Sequence, residues 1–156
     1  MSGTYDIPFV PSSDERLRKM IELTGVGPGI KAADIGSGDG KVVIALAKQG
    51  AEAHGYEIDY ERAQKSIENI KKERLEKRAF IHNMNFWDAE FSDYDVLTIY
   101  GITSIMKRLE EKLLKEMKPG AIIVSNYFTF PNWQHETKDG MIYVYRQKII
   151  PVYAFT

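Results

Sequence analysis

The sequence predicts an α/β fold: a doubly wound, mostly parallel sheet of seven strands that ends in an antiparallel C-terminal hairpin. Helix-like and strand-like hydrophobic periods alternate along almost the whole chain, as crossover helices between parallel strands require. A glycine-rich turn, Asp34 to Gly40, joins a short apolar run to an amphipathic one, which is where such sheets take their ligands. The long apolar run Ala121 to Phe130 precedes an alternating one, Met141 to Lys148, that suits an antiparallel hairpin arm. At 156 residues the chain reads as one domain, 1–156, too short for two ordinary domains and a linker.

The elements follow in order. After the extended, proline-marked segment Ile7-Pro8-Phe9-Val10-Pro11, Ser12-Ser13-Asp14-Glu15 reads as a capping box that opens a helix. Leu17, Met20 and Ile21 form its apolar stripe, and Gly25, Gly27 and Gly29 end it. Ala32 to Ile35 reads as a short buried strand, Lys41 to Gln49 as the next helix and Glu52 to Glu57 as the second strand. Tyr60, Ala63, Ile67 and Ile70 give a third helix its buried face, with Glu61/Lys65 and Glu68/Lys72 pairs on the other. Ala79 to His82 reads as strand three and Asp95 to Tyr100 as strand four. Ile105, Leu109, Leu113 and Met117 mark a helix that Pro119-Gly120 stops. Ala121 to Phe130 is then strand five, and Asn132 to Asp139 a further strand before the hairpin arm. Right-handed crossovers place the ends of strands one to four along one rim, where the chemistry belongs.

Composition removes several alternatives. Twenty-one Lys plus Arg against 22 Asp plus Glu leave a net charge of −1, which argues against bulk electrostatic capture of nucleic acid or of an anionic membrane. With no cysteine, thiolate nucleophiles, thiol redox chemistry and cysteine-rich zinc sites are excluded. His54, His82 and His135 lack metal-ligand spacing, so no metal site is expected. The run Lys71 to Arg78 is interleaved with glutamates and reads as a solvated helix end. No apolar run approaches the roughly 20 residues of a membrane span, and Met1 to Ile7 lacks the features of a secretory signal. The expected compartment is the cytoplasm.

Three signals carry chemistry. In Asp34-Ile35-Gly36-Ser37-Gly38-Asp39-Gly40 the glycines permit a tight turn and a close ligand approach. The third glycine comes one place too early for a dinucleotide fingerprint, and Asp34 and Asp39 put negative charge where a diphosphate needs positive potential. A ligand bearing positive charge fits better. Glu57, at the end of strand two, has the position from which a carboxylate accepts hydrogen bonds from ribose hydroxyls. Asn85-Phe86, after strand three, offers an amide to read an adenine edge and a ring to cover its face.

At these residues the chain resembles the class I S-adenosylmethionine-dependent methyltransferases. A closer resemblance covers Tyr5 to Arg146: it is similar to the small archaeal protein-lysine methyltransferases and to the mitochondrial enzymes that modify adenine nucleotide translocase and the ATP synthase c subunit. The matching pieces are Pro8-Phe9-Val10-Pro11-Ser12, the Asp34 to Gly40 turn, Gly55-Tyr56-Glu57 and Phe130-Pro131-Asn132-Trp133. The resemblance implies S-adenosylmethionine as cofactor, held by Val10, Ser12, Asp34, Gly36, Ser37, Gly38, Asp39, Glu57, Asn85 and Phe86. Residues 1–13, with their prolines, are expected to act as a lid-like segment over it. Lysine side chains of intracellular proteins are the implied acceptors, reached past the aromatic candidates Tyr100, Tyr127 and Trp133, and no dedicated base is assigned. The mitochondrial members carry hydrophobic targeting sequence that this chain lacks. Tyr100-Gly101-Ile102 is not the Asp/Asn-Pro-Pro-aromatic tetrad of amide- and base-directed enzymes. Two alternatives stand beside the lysine reading: an RNA or small-molecule methyltransferase, and a non-catalytic cofactor-binding partner subunit.

Overall fold

The computed structural model describes residues 13–100 and 103–148. The first described element, α1 (Asp14–Thr24), is capped by Ser13, whose side chain accepts from the Arg16 amide at 3.2 Å. The cap falls one residue later than the expected Ser12-to-Glu15 box, because the donor that needs satisfying is the amide of Arg16.

Described strands β1 (Lys31–Ile35), β2 (Glu52–Tyr56), β3 (Ala79–His82), β4 (Val96–Tyr100), β5 (Ile122–Asn126), β6 (Thr137–Asp139) and β7 (Ile142–Arg146) build one sheet in the order β3-β2-β1-β4-β5-β7-β6. The first five pair parallel, and β7 runs antiparallel to both β5 and β6. The edges are therefore β3 and β6. Order reverses between β1 and β4, so a crevice opens above their C-terminal ends.

Alternating strand residues feed two cores, as a sheet covered on both faces requires. Ala33, Ile35, Leu97, Ile99, Ile123 and Tyr145 face α4 (Thr103–Glu116) through its Ile105, Leu109 and Leu113. On the other face Ala32, Ala53 and Val96 meet α2 (Lys41–Lys48) and α3 (Tyr60–Lys72), while Val124 and Val144 meet Met20 of α1. Between β3 and β4 a single 3₁₀ turn, Phe86–Asp88, stands in place of a helix, and Phe86, Phe91 and Tyr94 fill the core beneath it. No helix among the described residues is long and apolar enough to cross a membrane.

Several boundaries and contacts move from expectation. Strand five stops at Asn126 instead of Phe130: the Tyr127 amide still donates to Met141 O at 2.7 Å, but its φ of +74° turns the chain off the ladder. Of the segment Asn132 to Asp139 only Thr137–Asp139 pairs. Tyr60 is 64% exposed because it follows the Asp59 cap on the open rim, and Ser66 joins Ala63 and Ile70 in the buried stripe. Lys65 pairs with Glu68 at 3.9 Å, the residue that also meets Lys72 at 3.8 Å.

One buried carboxylate fixes the segment after β5. Glu110 of α4 is 3% exposed and accepts from Asn132 N at 2.7 Å and from Asn132 Nδ2 at 3.2 Å. This bond seats Phe130-Pro131-Asn132-Trp133 on the helix. Glu110→Ala leaves those donors unpaired, and urea denaturation should register a loss of about 1–3 kcal/mol.

Candidate functional site

The turn after β1 is tied down before any ligand arrives. Gly36 N and Ser37 N both donate to Tyr56 O, at 2.9 and 3.1 Å, which draws the turn over the end of β2. Gly38 and Gly40 take φ +56° and +89°, a region open to glycine and costly for a residue with a Cβ. From α3, Ser66 Oγ donates to Gly38 O at 2.6 Å and Asn69 Nδ2 to Asp39 O at 3.0 Å. Lys41 N, the first amide of α2, donates to Asp39 Oδ1 at 3.3 Å.

Glu57 is 4% exposed and braces this turn. Its Oε1 accepts from Gly38 N at 2.7 Å and its Oε2 from Asp59 N at 2.9 Å, joining the loop after β1 to the start of α3. Ser37 lies beneath, and its buried Oγ has no hydrogen-bond partner among the described residues.

Asp34 points down into the sheet. It is 5% exposed, and Thr98 Oγ1 of β4 donates to its Oδ1 at 2.6 Å. Burial pushes its carboxyl up to about 7, against the Thr98 hydrogen bond that lowers it and with the help of the nearby Glu57 charge. A carboxyl that holds its proton in the folded chain and loses it in the unfolded one stabilises the fold most below about pH 4. That contribution drains away as pH rises through 7. In melts without cofactor, Asp34→Asn should match the unaltered chain near pH 4. At pH 8 it should exceed it, by on the order of 3–4 kcal/mol.

The remaining candidates separate. Asn85 is half-buried, with Oδ1 accepting from Trp87 N at 3.0 Å. Phe86 is 8% exposed and belongs to the α4-side core, so its ring is not an open cover for a base. Tyr100 ends β4 and meets Tyr127 edge-to-face, ring centroids 5.2 Å apart. Trp133 stacks on Phe130 and tilts against Tyr145, both at 5.5 Å, which makes it part of the wall behind the rim. Val10, Ser12 and the lid-like segment apart from Ser13 lie outside the described residues.

Two groupings were not expected. Arg16 of α1 stacks its guanidinium over Tyr127, 3.6 Å from the ring centroid, and donates from Nε to Asn126 Oδ1 at 2.5 Å. Nothing in the helical period distinguishes Arg16 from Arg18. His54 Nδ1 and His82 Nε2 meet across β2 and β3 at 2.9 Å, 28 residues apart in sequence, a pairing that only the strand register discloses.

With this geometry in place, comparison with known proteins is decisive. Residues 34–137 match the ANTKMT methyltransferase domain, a span from the buried acid to the first residue of β6. The chain belongs to the ANTKMT methyltransferase family. The family span takes in the glycine turn, Glu57, the rim tyrosines and the Glu110-anchored segment. A protein-lysine N-methyltransferase of Saccharolobus islandicus is 35% identical over 135 residues, covering 85% of this chain and 84% of that protein. The human ATP synthase c-subunit lysine N-methyltransferase is 33% identical over 137 residues, 86% of this chain and 58% of the human one. Among solved structures, an RNA methyltransferase from Salinibacter ruber in complex with S-adenosyl-L-homocysteine superposes with a TM-score of 0.86 at 28% identity, covering 92% of this chain and 97% of that one. The sheet order and its antiparallel end are thus those of an ANTKMT-family methyltransferase.

Proposed function

We infer that this ANTKMT-family chain binds S-adenosylmethionine over the Asp34 to Gly40 turn and methylates lysine side chains of proteins. The observation that carries the acceptor class is the 35% identity with the archaeal protein-lysine N-methyltransferase. That alignment covers 85% of this chain, enough to include both the glycine turn and the rim tyrosines.

The residues present fit the cofactor. Each Glu57 oxygen spends one lone pair on a backbone amide and keeps another for a ribose hydroxyl. Ser37 Oγ is a buried polar atom without a partner at the turn, and Asn85 keeps an amide donor for the adenine edge. When bound, the cofactor supplies a methyl group already activated on a sulfonium sulfur.

What this chain must then do is align the acceptor and keep water out. A lysine with its ordinary pKa near 10.4 is neutral in only about one molecule in 2,500 at pH 7. Apolar walls disfavour the ammonium and raise that fraction. Tyr100 and Tyr127 supply such walls at the ends of β4 and β5. Arg16 covers one face of the Tyr127 ring, so Tyr100 and the open side of Tyr127 are what remain for the amine.

The partner is a protein, and action in the cytoplasm is part of this proposal. A net charge of −1 gives RNA no general attraction. The RNA reading is kept because of the Salinibacter ruber neighbour. Mass spectrometry of a cell lysate treated with the chain and cofactor separates the two. Lysine methylation that climbs from pH 7 toward 9 supports the first reading, because deprotonation supplies the reactive amine. Methyl groups on RNA bases with lysines unmodified would replace it by the second.

A further inference from the structure

Arg16 is an unusual presence on the rim. One nitrogen, Nε, is held by the buried amide oxygen of Asn126, and the guanidinium plane is held by the Tyr127 ring. Its Nη2 is buried and has no hydrogen-bond partner among the described residues. A guanidinium donor shut away from water without an acceptor is costly, and such exceptions call for a ligand or a functional reason. The mount is itself strained: Tyr127 holds φ +74°, a conformation that costs a bulky residue of order 1–3 kcal/mol and is stored preferentially at binding sites.

The place of Arg16 narrows the ligand. The first turn of α1 lies between two parts of the rim. Asp14 reaches the start of α2, 4.0 Å from Lys41 Nζ, beside the glycine turn, and Arg16 two residues on reaches the end of β5. An oxygen ligand taken by Nη2 therefore sits on the β4–β5 side of the crevice that the glycine turn bounds from β1. Asp39 and Glu57 put carboxylates at the glycine turn, while Asp14 is balanced by Lys41. A phosphate with two negative charges is disfavoured beside those acids, whereas a single carboxylate, above all one with an amino group beside it, pairs with the Arg16 guanidinium and tolerates them.

We propose that Arg16 is a carboxylate-binding residue of this site, held by Asn126 and Tyr127 so that Nη2 meets one carboxylate oxygen. The carboxylate comes either from the amino-acid end of the cofactor or from an acidic side chain beside the acceptor lysine. The inference rests on the methyltransferase reading above.

Calorimetry on the full chain tests it, with S-adenosylhomocysteine, which carries the carboxylate, and methylthioadenosine, which has the same nucleoside and thioether without it. Binding of S-adenosylhomocysteine by the unaltered chain tests the cofactor reading by itself, and its absence would overturn both. In Arg16→Gln, a loss of S-adenosylhomocysteine affinity on the order of 10–100-fold, with methylthioadenosine changed less than twofold, assigns the carboxylate to the cofactor. Unchanged S-adenosylhomocysteine affinity, with KM for an acid-flanked lysine peptide raised tenfold or more at constant kcat, assigns it to the acceptor. If both ligands weaken equally, or if neither affinity nor KM moves beyond twofold, Arg16 binds no carboxylate. Arg16→Lys, which keeps the charge and loses Nη2, carries the same comparison should the glutamine variant melt below the assay temperature.

Discussion

Glu57→Ala is expected to weaken S-adenosylhomocysteine binding by on the order of 100-fold while leaving a folded chain. Two losses combine. Each hydrogen bond from a ligand hydroxyl to a carboxylate is worth about 1.5–3 kcal/mol before water compensates. The amides of Gly38 and Asp59, now paired to Glu57 at 2.7 and 2.9 Å, also lose their acceptor, so the turn that shapes the nucleoside site loosens. Glu57→Gln keeps one carbonyl acceptor and should fall between the two. Calorimetric titration of the three chains settles the order. Equal affinities would remove Glu57 from the site.

Gly55→Ala should be strongly destabilising although it adds a single methyl. Its φ is ordinary, so the cost is space alone. A Cβ there would stand 2.7 Å from Ser37 Cβ, Ser37 Oγ and Val43 Cγ2. Ser37 and Val43 are 6% and 0% exposed and have nowhere to retreat. Overpacking of this kind costs about 1–3 kcal/mol, and here it pushes directly on the glycine turn. Chemical denaturation should show the loss, and cofactor affinity should fall with it. Ser37→Gly in the same chain removes two of the three clashes and should recover part of the stability.

What the sequence discloses is whatever short-range chemistry controls. Strand β3 is legible at both ends, and α4 is bounded by Pro119-Gly120, because period and turn residues act within a few positions. The glycine turn is legible for the same reason. Side-chain destinations are not. In the sequence Asp34 reads as charge offered to a ligand, but its hydroxyl partner Thr98 lies 64 residues away, and only the β1–β4 register brings them together. Phe86 reads as a cover for a base; the chain uses it as core because no helix fills the space between β3 and β4. Arg16 and Asn126 are 110 residues apart, beyond any local pattern.

The two edges of the sheet carry a different consequence. An unpaired strand is a template on which a second copy can stack, and long apolar edges are how sheets become aggregates. Here β3 is four residues long and follows Lys77 and Arg78, while β6 is three, Thr137–Asp139, all exposed and two of them charged. Both are too short to offer a neighbour much ladder, although Phe80 of β3 stands 37% exposed. Among the described residues both edges therefore discourage one sheet from growing onto another.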